Sequence, residues 1–170
     1  MAISMYQASV PVFQKMLGNL DHLFDKALAD AAVRKYDPSV LLQARLAPDM
    51  FTFTRQVQIA ADHAKGAPSR LAGVDAPRYE DNETTFEQLK ARLQKTRDYI
   101  GSLQAAQIDG SEDRAINIKA GPRELSFTGQ NYLLMYALPN FYFHYTTAYA
   151  ILRHNGVPVG KTDYVAGRIA

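Results

Sequence analysis

The stretch TTFEQLKARLQKTRDYIGSL, residues 84–103, decides the fold class of this chain. Its core positions recur at alternating steps of three and four residues, the spacing that forms the buried seam between packed helices. Thr84 and Glu87 stand three residues apart, as in a capping box, and so predict where the helix starts. The seam positions are Phe86, Leu89, Leu93, Thr96, Ile100 and Leu103. A helix with one apolar face needs partner helices, so we expect a bundle.

Three further long helices are predicted from the same periodicity. The first has an apolar face from Tyr6 to Ala31 and is capped by Ser4 or Ser9. The second runs from Pro48 or Asp49 to the Gly66-Ala67-Pro68 break, and the last spans 139–154, with a short helix at 130–137 before it. A loop over 69–82 joins the second and third helices. Between the third and fourth, Ile116, Ile118, Leu125 and Phe127 alternate with polar residues, which predicts a small hairpin. We therefore predict an all-α, antiparallel four-helix bundle, with a β-hairpin insertion before the last helix, as one domain over 1–170.

The amino-acid composition excludes several classes of protein. Apolar residues make up 47% and charged residues 21% of the 170 positions, as in ordinary globular domains. The absence of cysteine excludes a disulfide frame and a cysteine nucleophile. A net charge of +2 without a basic run argues against a nucleic-acid partner. The start of the chain lacks a secretory signal pattern, and the uncharged stretch 125–152 is too polar for a membrane span, so we expect a cytoplasmic protein.

Five residues on two predicted helices form a candidate site. Asn140 and His144 are four residues apart and share one face of the last helix, whereas Asp49, Gln56 and His63 recur at seven-residue steps along the second. Antiparallel neighbours would bring Gln56 or His63 opposite His144. Two imidazoles, a carboxamide and a carboxylate make a plausible site for zinc or nickel. The alternative for each residue alone is a hydrogen-bonded core or boundary histidine, with Asn140 as a helix cap.

Two other features suggest a ligand or a partner. Arg153 and Lys161, near the end of the chain, could attract an anionic ligand. Aromatic side chains cluster around the last helix, where they predict core packing, a small-molecule pocket or a helix–helix dimer interface. These aromatic residues are Tyr132, Tyr136, Phe141, Tyr142, Phe143, Tyr145 and Tyr149.

Two motifs carry a family resemblance. They are Pro139-Asn-Phe-Tyr-Phe-His144 running into Ala148-Tyr-Ala-Ile-Leu-Arg153-His-Asn-Gly156 with Gly160-Lys161, and Arg45-Leu-Ala-Pro-Asp49-Met-Phe with Gln56-Val-Gln58, Asp62 and Ala64-Lys65-Gly66. Both resemble the bacterial domain-of-unknown-function family numbered nineteen-ninety-three, which is similar to the DinB and YfiT-like four-helix-bundle metalloenzymes. The resemblance implies a dimer, thiol-dependent transferase or isomerase chemistry, and a metal held by one histidine of the second helix and a pair four apart on the last. His63 and His144 match two of these ligands, and the remaining position is Asn140.

Two hypotheses follow from the sequence. The first is a DinB-like bundle with an altered metal or ligand site, in which His144 is a ligand or general base and His63 is a second ligand. Ligand-binding roles then fall to Asp49, Gln56, Asn140, Arg153 and Lys161. The second is a non-catalytic protein that binds a small molecule or forms a homodimer, without a metal.

Overall fold

A computed structural model describes residues 2–167 of the chain. Helical periodicity in the sequence explains most of its architecture. The long helices α1, α3, α4 and α7 pack as the predicted four-helix bundle. In chain order the elements are α1 (Val10–Arg34), α2 (Ser39–Leu42), α3 (Phe53–Ala72), α4 (Phe86–Ser102), α5 (Ala105–Ile108), β1 (Ala115–Ala120), β2 (Arg123–Thr128), α6 (Gly129–Tyr132), a π-helical turn (Leu133–Ala137), α7 (Leu138–His154) and α8 (Lys161–Ala166).

Phenylalanines from all four long helices meet in the core. Phe24 of α1 makes edge-to-face contacts with Phe53 of α3 and Phe86 of α4, at centroid distances of 5.6 and 5.5 Å. Phe13 of α1 packs in the same way on Phe141 of α7, at 5.0 Å. All five rings are buried. Each contributes roughly 1.5–3 kcal/mol through removal of apolar surface from water, so these contacts fix how the helices are arranged.

The predicted seam of α4 is confirmed, because each of its six positions is buried. The start signal is one residue later than predicted. Thr85, not Thr84, caps the helix, and its side chain accepts from the Gln88 amide at 3.2 Å. Gln88 completes the capping box by accepting from the Thr85 amide at 3.2 Å. Glu87 instead lies in the first turn, where its charge favours the helix dipole.

The predicted bounds of α3 were wrong at both ends. The helix begins at Phe53, because the Thr52 side chain caps the Arg55 amide at 3.3 Å, and so Asp49 lies in the preceding loop. It continues through Pro68 to Ala72 and ends at Gly73, which adopts a left-handed conformation. Proline costs a helix one hydrogen bond. Burial of this segment against its neighbours compensates, with Pro68 and Leu71 both buried.

Neighbouring helices run in both relative directions. Gln56 contacts His144 while His63 contacts Tyr136, so α3 and the last helix are antiparallel. The helices α1 and α4 are also antiparallel, as the contacts Gln14–Arg97 and Asp21–Lys90 show. The predicted antiparallel arrangement does not hold for α3 and α4, which are parallel, with contacts Asp62–Arg92 and Ser69–Tyr99. A parallel pair needs a long crossover, which the loop after Gly73 provides.

The last helix starts earlier than predicted. Residues 129–154 are helical throughout, whereas two separate helices, 130–137 and 139–154, were predicted. A π-helical turn joins the two parts, with the Leu138 amide donating to the Leu133 carbonyl five residues before it. Pro139 follows that turn and has no N–H to continue the regular pattern. Proline therefore accompanies a change of helical register here and does not end the helix.

The hairpin is confirmed, with β1 and β2 paired antiparallel from Ala115–Thr128 to Ala120–Arg123. It stands beside α6, and its Phe127 ring lies 5.4 Å from that of Tyr136. Within the described part of the chain, no helix combines the length and the apolar character needed to cross a membrane.

Candidate functional site

A hydrogen bond between α3 and α7 is the centre of the site. The Nδ1 of His144 lies 2.7 Å from the Oε1 of Gln56. The Gln56 amide nitrogen donates to the Phe51 carbonyl at 3.4 Å, so its Oε1 is directed towards the imidazole. Because a carboxamide oxygen only accepts, His144 carries its proton on Nδ1. Its Nε2 lone pair has no hydrogen-bond partner among residues 2–167.

These two residues form the floor of a cleft of about 230 Å³. Gln56 is 1% exposed and His144 is 9% exposed. The rim consists of Asp49, Phe51 and Phe143, which are all exposed, and Met50 lies between floor and rim. The Phe51 and Phe143 side chains remain 54% and 57% exposed, which is unusual for rings that could be buried. The cleft therefore combines a polar floor with an apolar, aromatic rim.

A second imidazole lies behind the floor. The rings of His63 and His144 are nearly parallel, at 14°, with centroids 6.1 Å apart. Tyr136 also lies near His63, with ring centroids 6.0 Å apart. Burial, with a smaller effect from the nearby His144, lowers the pKa of His63 to about 4. His63 is therefore neutral at neutral pH.

His144 is held neutral by similar forces. Burial, and then the positive charge of Arg55, lower the pKa of His144 below its usual range. The Arg55 guanidinium is itself paired with Asp81 and donates to Gln58 at 3.2 Å. The imidazole at the floor is thus a neutral hydrogen-bond acceptor with a positive charge nearby.

Asn140 is used by the helix itself. Its side-chain amide donates to the Tyr136 carbonyl at 2.7 Å, within the π-helical turn. Turns of this kind disrupt the regular hydrogen-bond pattern and are frequent near functional sites. Asn140 thus stabilises the turn that places Tyr136 against His63, and it does not line the cleft.

The donor set does not match the zinc or nickel site that the resemblance implies. Structural and catalytic zinc sites use at least three protein ligands drawn from histidine, cysteine and carboxylates. In residues 2–167 no group of three such side chains is placed to hold a metal ion. His63 and His144 lie together, but the amide of Asn140 is bonded to the helix backbone.

Comparison with known proteins identifies the family. The family model described as Domain of unknown function (DUF1993) matches residues 5–165. The chain belongs to this family. A crystal structure of a DinB family member protein from Shewanella denitrificans, at 1.83 Å resolution, is similar to it with 44% identity and a TM-score of 0.85. That match covers 94% of this chain and 90% of the other, so this DUF1993 member is DinB-like in fold. No curated protein matches the chain.

Two predicted site residues of this DUF1993 protein lie away from the cleft. Arg153 is exposed nine residues beyond His144, roughly 13 Å along the helix axis. Lys161 is exposed at the start of α8. The structure therefore brings together Asp49, Gln56 and His144, with His63 behind them, and leaves Arg153 and Lys161 outside.

Asp163, in the first turn of α8, is the centre of a different cluster. Asp163 accepts from Lys26 at 2.9 Å, from the Gly160 amide at 2.8 Å and lies 3.1 Å from His22 Nε2. Partial burial opposes ionisation, but these partners lower the pKa of Asp163 to about 2. The cluster fastens α8 to α1. His22 is partly buried in this cluster.

Sequence reasoning missed the hydrophobic lining residues and one buried cation. Phe51 and Met50 stand in a loop, where no periodicity marks them as site residues. Arg92, on the buried face of α4, pairs with Asp62, Asp81 and Glu83 at 3.1, 2.9 and 2.9 Å. The acidic run at 80–83 was the available signal for it. Asp62, which also pairs with Lys65, therefore belongs to a structural network.

Proposed function

We propose that the cleft binds a small, partly apolar molecule and that His144 accepts a proton or hydrogen bond from a weakly acidic group of that molecule. The single observation that supports this most is the 2.7 Å hydrogen bond between Gln56 and His144 at the floor. It fixes the ring and its tautomer, so that Nε2 is the atom available to a ligand.

The acceptor is suited to a hydroxyl or thiol. A neutral imidazole takes the proton of X–H and becomes imidazolium, while X becomes an anion. Arg55 disfavours the imidazolium but favours the anion, so its two effects on this ion pair oppose each other. A thiol would have to come from the ligand, since the chain has no cysteine.

The rim supports an apolar or aromatic ligand body. Phe51, Phe143 and Met50 offer contact area that is exposed in the free protein. Covering such rings gives about 25 cal/mol for each Å² removed from water. Gln56 acts as a positioning residue and Asn140 supports the helix, so neither needs to touch the ligand.

Phenol and toluene test this proposal directly, because they differ by one hydroxyl group. We expect phenol to bind the wild-type chain about two- to tenfold more tightly than toluene, as for one net hydrogen bond. In His144→Phe, which keeps an aromatic ring but removes the acceptor, the preference should disappear. His154→Ala, an exposed histidine on the same helix, is the matched control and should keep it. Equal affinities in the wild type, or an unchanged preference in His144→Phe, would refute the role of His144.

A second candidate function, self-association, has its own supporting observation. Leu134 and Met135 are 44% and 73% exposed, and they share their helix with Phe143. No Asp, Glu, Lys or Arg occurs between 125 and 152. Exposed apolar residues without charges are typical of protein interfaces.

Light scattering coupled to size exclusion tests the second candidate. We expect a dimer for the wild type and a monomer for Met135→Lys. Val33→Lys, at an exposed apolar residue of α1, should leave the dimer intact. A wild-type chain that stays monomeric at high concentration would remove this candidate.

A further inference from the structure

The charges around the cleft indicate more about the ligand than the floor alone. Among residues 2–167, Asp49 is the one charged residue that lines the cleft. It is exposed, and within residues 2–167 its carboxylate has no ion-pair or hydrogen-bond partner. A rim that holds one unpaired negative charge disfavours anionic ligands and favours cationic ones.

Neither of the two arginines nearest in sequence, Arg45 and Arg55, forms an ion pair with this carboxylate. Arg45 donates to the Met50 carbonyl, so its guanidinium is held by the backbone of the loop. Arg55 is paired with Asp81. Neither arginine lines the cleft. Arg153 and Lys161, the cations expected to attract an anion, are also absent from its lining.

The electrostatic potential of the cleft therefore changes from positive at the floor to negative at the rim. Burial is the larger cause of the lowered pKa of His144, and the positive charge of Arg55 adds to it at the floor. Asp49 imposes a negative potential at the rim. The exposed faces of Phe51 and Phe143 add to the rim's preference, because aromatic faces attract ammonium groups.

We propose that this cleft takes an amine: a small ligand with an apolar body, a hydroxyl or thiol directed to His144 and an ammonium group directed to Asp49. This inference rests on the proposed function of His144 and adds the chemical class of the ligand. The ligand is then complementary to the cleft at three points, the floor, the aromatic rim and the rim carboxylate.

Three phenols with short para substituents of different charge test it. They are tyramine, which carries an ammonium; 4-ethylphenol, which is neutral; and 3-(4-hydroxyphenyl)propanoate, which carries a carboxylate. We expect affinities for the wild type, measured by calorimetry at pH 7 and low salt, to decrease in that order. Each step should be about two- to fivefold, the size of an exposed ionic interaction, and should shrink as salt is added.

Asp49→Asn isolates the rim charge. In this variant tyramine should fall to the affinity of 4-ethylphenol, while 4-ethylphenol itself should be unchanged. Asp113→Asn, at an exposed aspartate outside the cleft, is the matched control and should keep the wild-type order. The same order in Asp49→Asn as in the wild type would overturn the inference.

The experiment separates failure of this inference from failure of the proposed function. If the three phenols bind equally and all lose affinity in His144→Phe, His144 keeps its role and the ammonium preference is wrong. If none of the three binds, both proposals are wrong. If the carboxylate binds best, the cleft prefers anions and the inference is contradicted.

Discussion

Two histidines of this protein, His144 and His22, show how the partner of an imidazole decides its use. His144 is buried and bonded to the neutral carboxamide of Gln56, so its ring is oriented without being charged. His22 is partly exposed and lies 3.1 Å from the carboxylate of Asp163, beside Lys26. The first arrangement leaves a free acceptor at a cleft. The second holds α8 and α1 together.

The largest expected effect is a loss of folding stability in acid, caused by protonation of His63. The pKa of His63 is about 4 in the folded chain and 6.5 when unperturbed, so the unfolded chain binds this proton more readily. The stability that neutral His63 contributes is fully present above about pH 6.5 and is lost as the pH falls towards 4. We expect a loss of about 3 kcal/mol from His63, with a further loss in the same direction from His144. Urea midpoints at pH 7 and pH 4.5 measure it.

His63→Phe keeps the ring and removes the proton site. It should lose much less stability than the wild type between pH 7 and pH 4.5. His154→Ala, which removes an exposed histidine, should follow the wild type. An unchanged acid response in His63→Phe would show that His63 is not the neutral group that loses stability in acid.

Asp163→Asn tests the cluster in which Asp163 pairs with His22 and Lys26. The lowered pKa of Asp163, about 2, means that its contribution is present above about pH 4 and is lost as the pH falls towards 2. We expect the variant to be about 1–2 kcal/mol less stable at pH 7. Amide exchange in α8 should increase with it, while phenol binding stays unchanged. A loss of phenol binding would mean that the two regions are coupled and would contradict their separation.

Much of the architecture follows from local chemistry in the sequence. The seam of α4 and the alternation of Ile116, Ile118, Leu125 and Phe127 were sufficient to predict the bundle and the hairpin. The error at Pro68 has a tertiary cause, because burial of the surrounding helix outweighs the cost of one proline. The π-helical turn before Pro139 has no periodic signature at all.

The candidate site was only partly predictable. Gln56, His63 and His144 follow from helical spacing, because antiparallel packing of α3 on α7 brings them together. Asp49 lines the cleft from a loop, although the stripe that predicted it assumed a helix. Phe51 and Met50 carry no spacing signal, since loop geometry places them. Arg153 lies too far from His144 along the helix axis to reach the cleft, and a shared sequence motif does not reveal that distance.

Gln56→Leu removes the side chain that orients the His144 ring. The ring should lose its fixed tautomer, and the preference for phenol over toluene should fall about two- to tenfold. The matched variant is Gln58→Leu, which alters a buried glutamine on the same helix that is bonded to Glu83 instead. A full phenol preference in Gln56→Leu would mean that Gln56 is dispensable for positioning.

The smallest expected effect concerns metals. We expect zinc and nickel to leave the thermal midpoint of the wild type unchanged, because a ligand that binds only the folded state must raise it. Asn140→His adds a third imidazole four residues before His144 and is the variant in which a zinc-dependent shift should appear. Stoichiometric zinc in the purified wild-type chain, lost in His144→Phe, would contradict this expectation.

The most direct measurement is a pH titration of the His144 ring by ¹⁵N NMR, with the resonances assigned through His144→Phe. We predict a proton on Nδ1, a lone pair on Nε2 and a pKa below 6.5. A ring that carries its proton on Nε2, or that titrates at or above 6.5, would contradict the assignment of His144 as the neutral acceptor at the floor of the cleft.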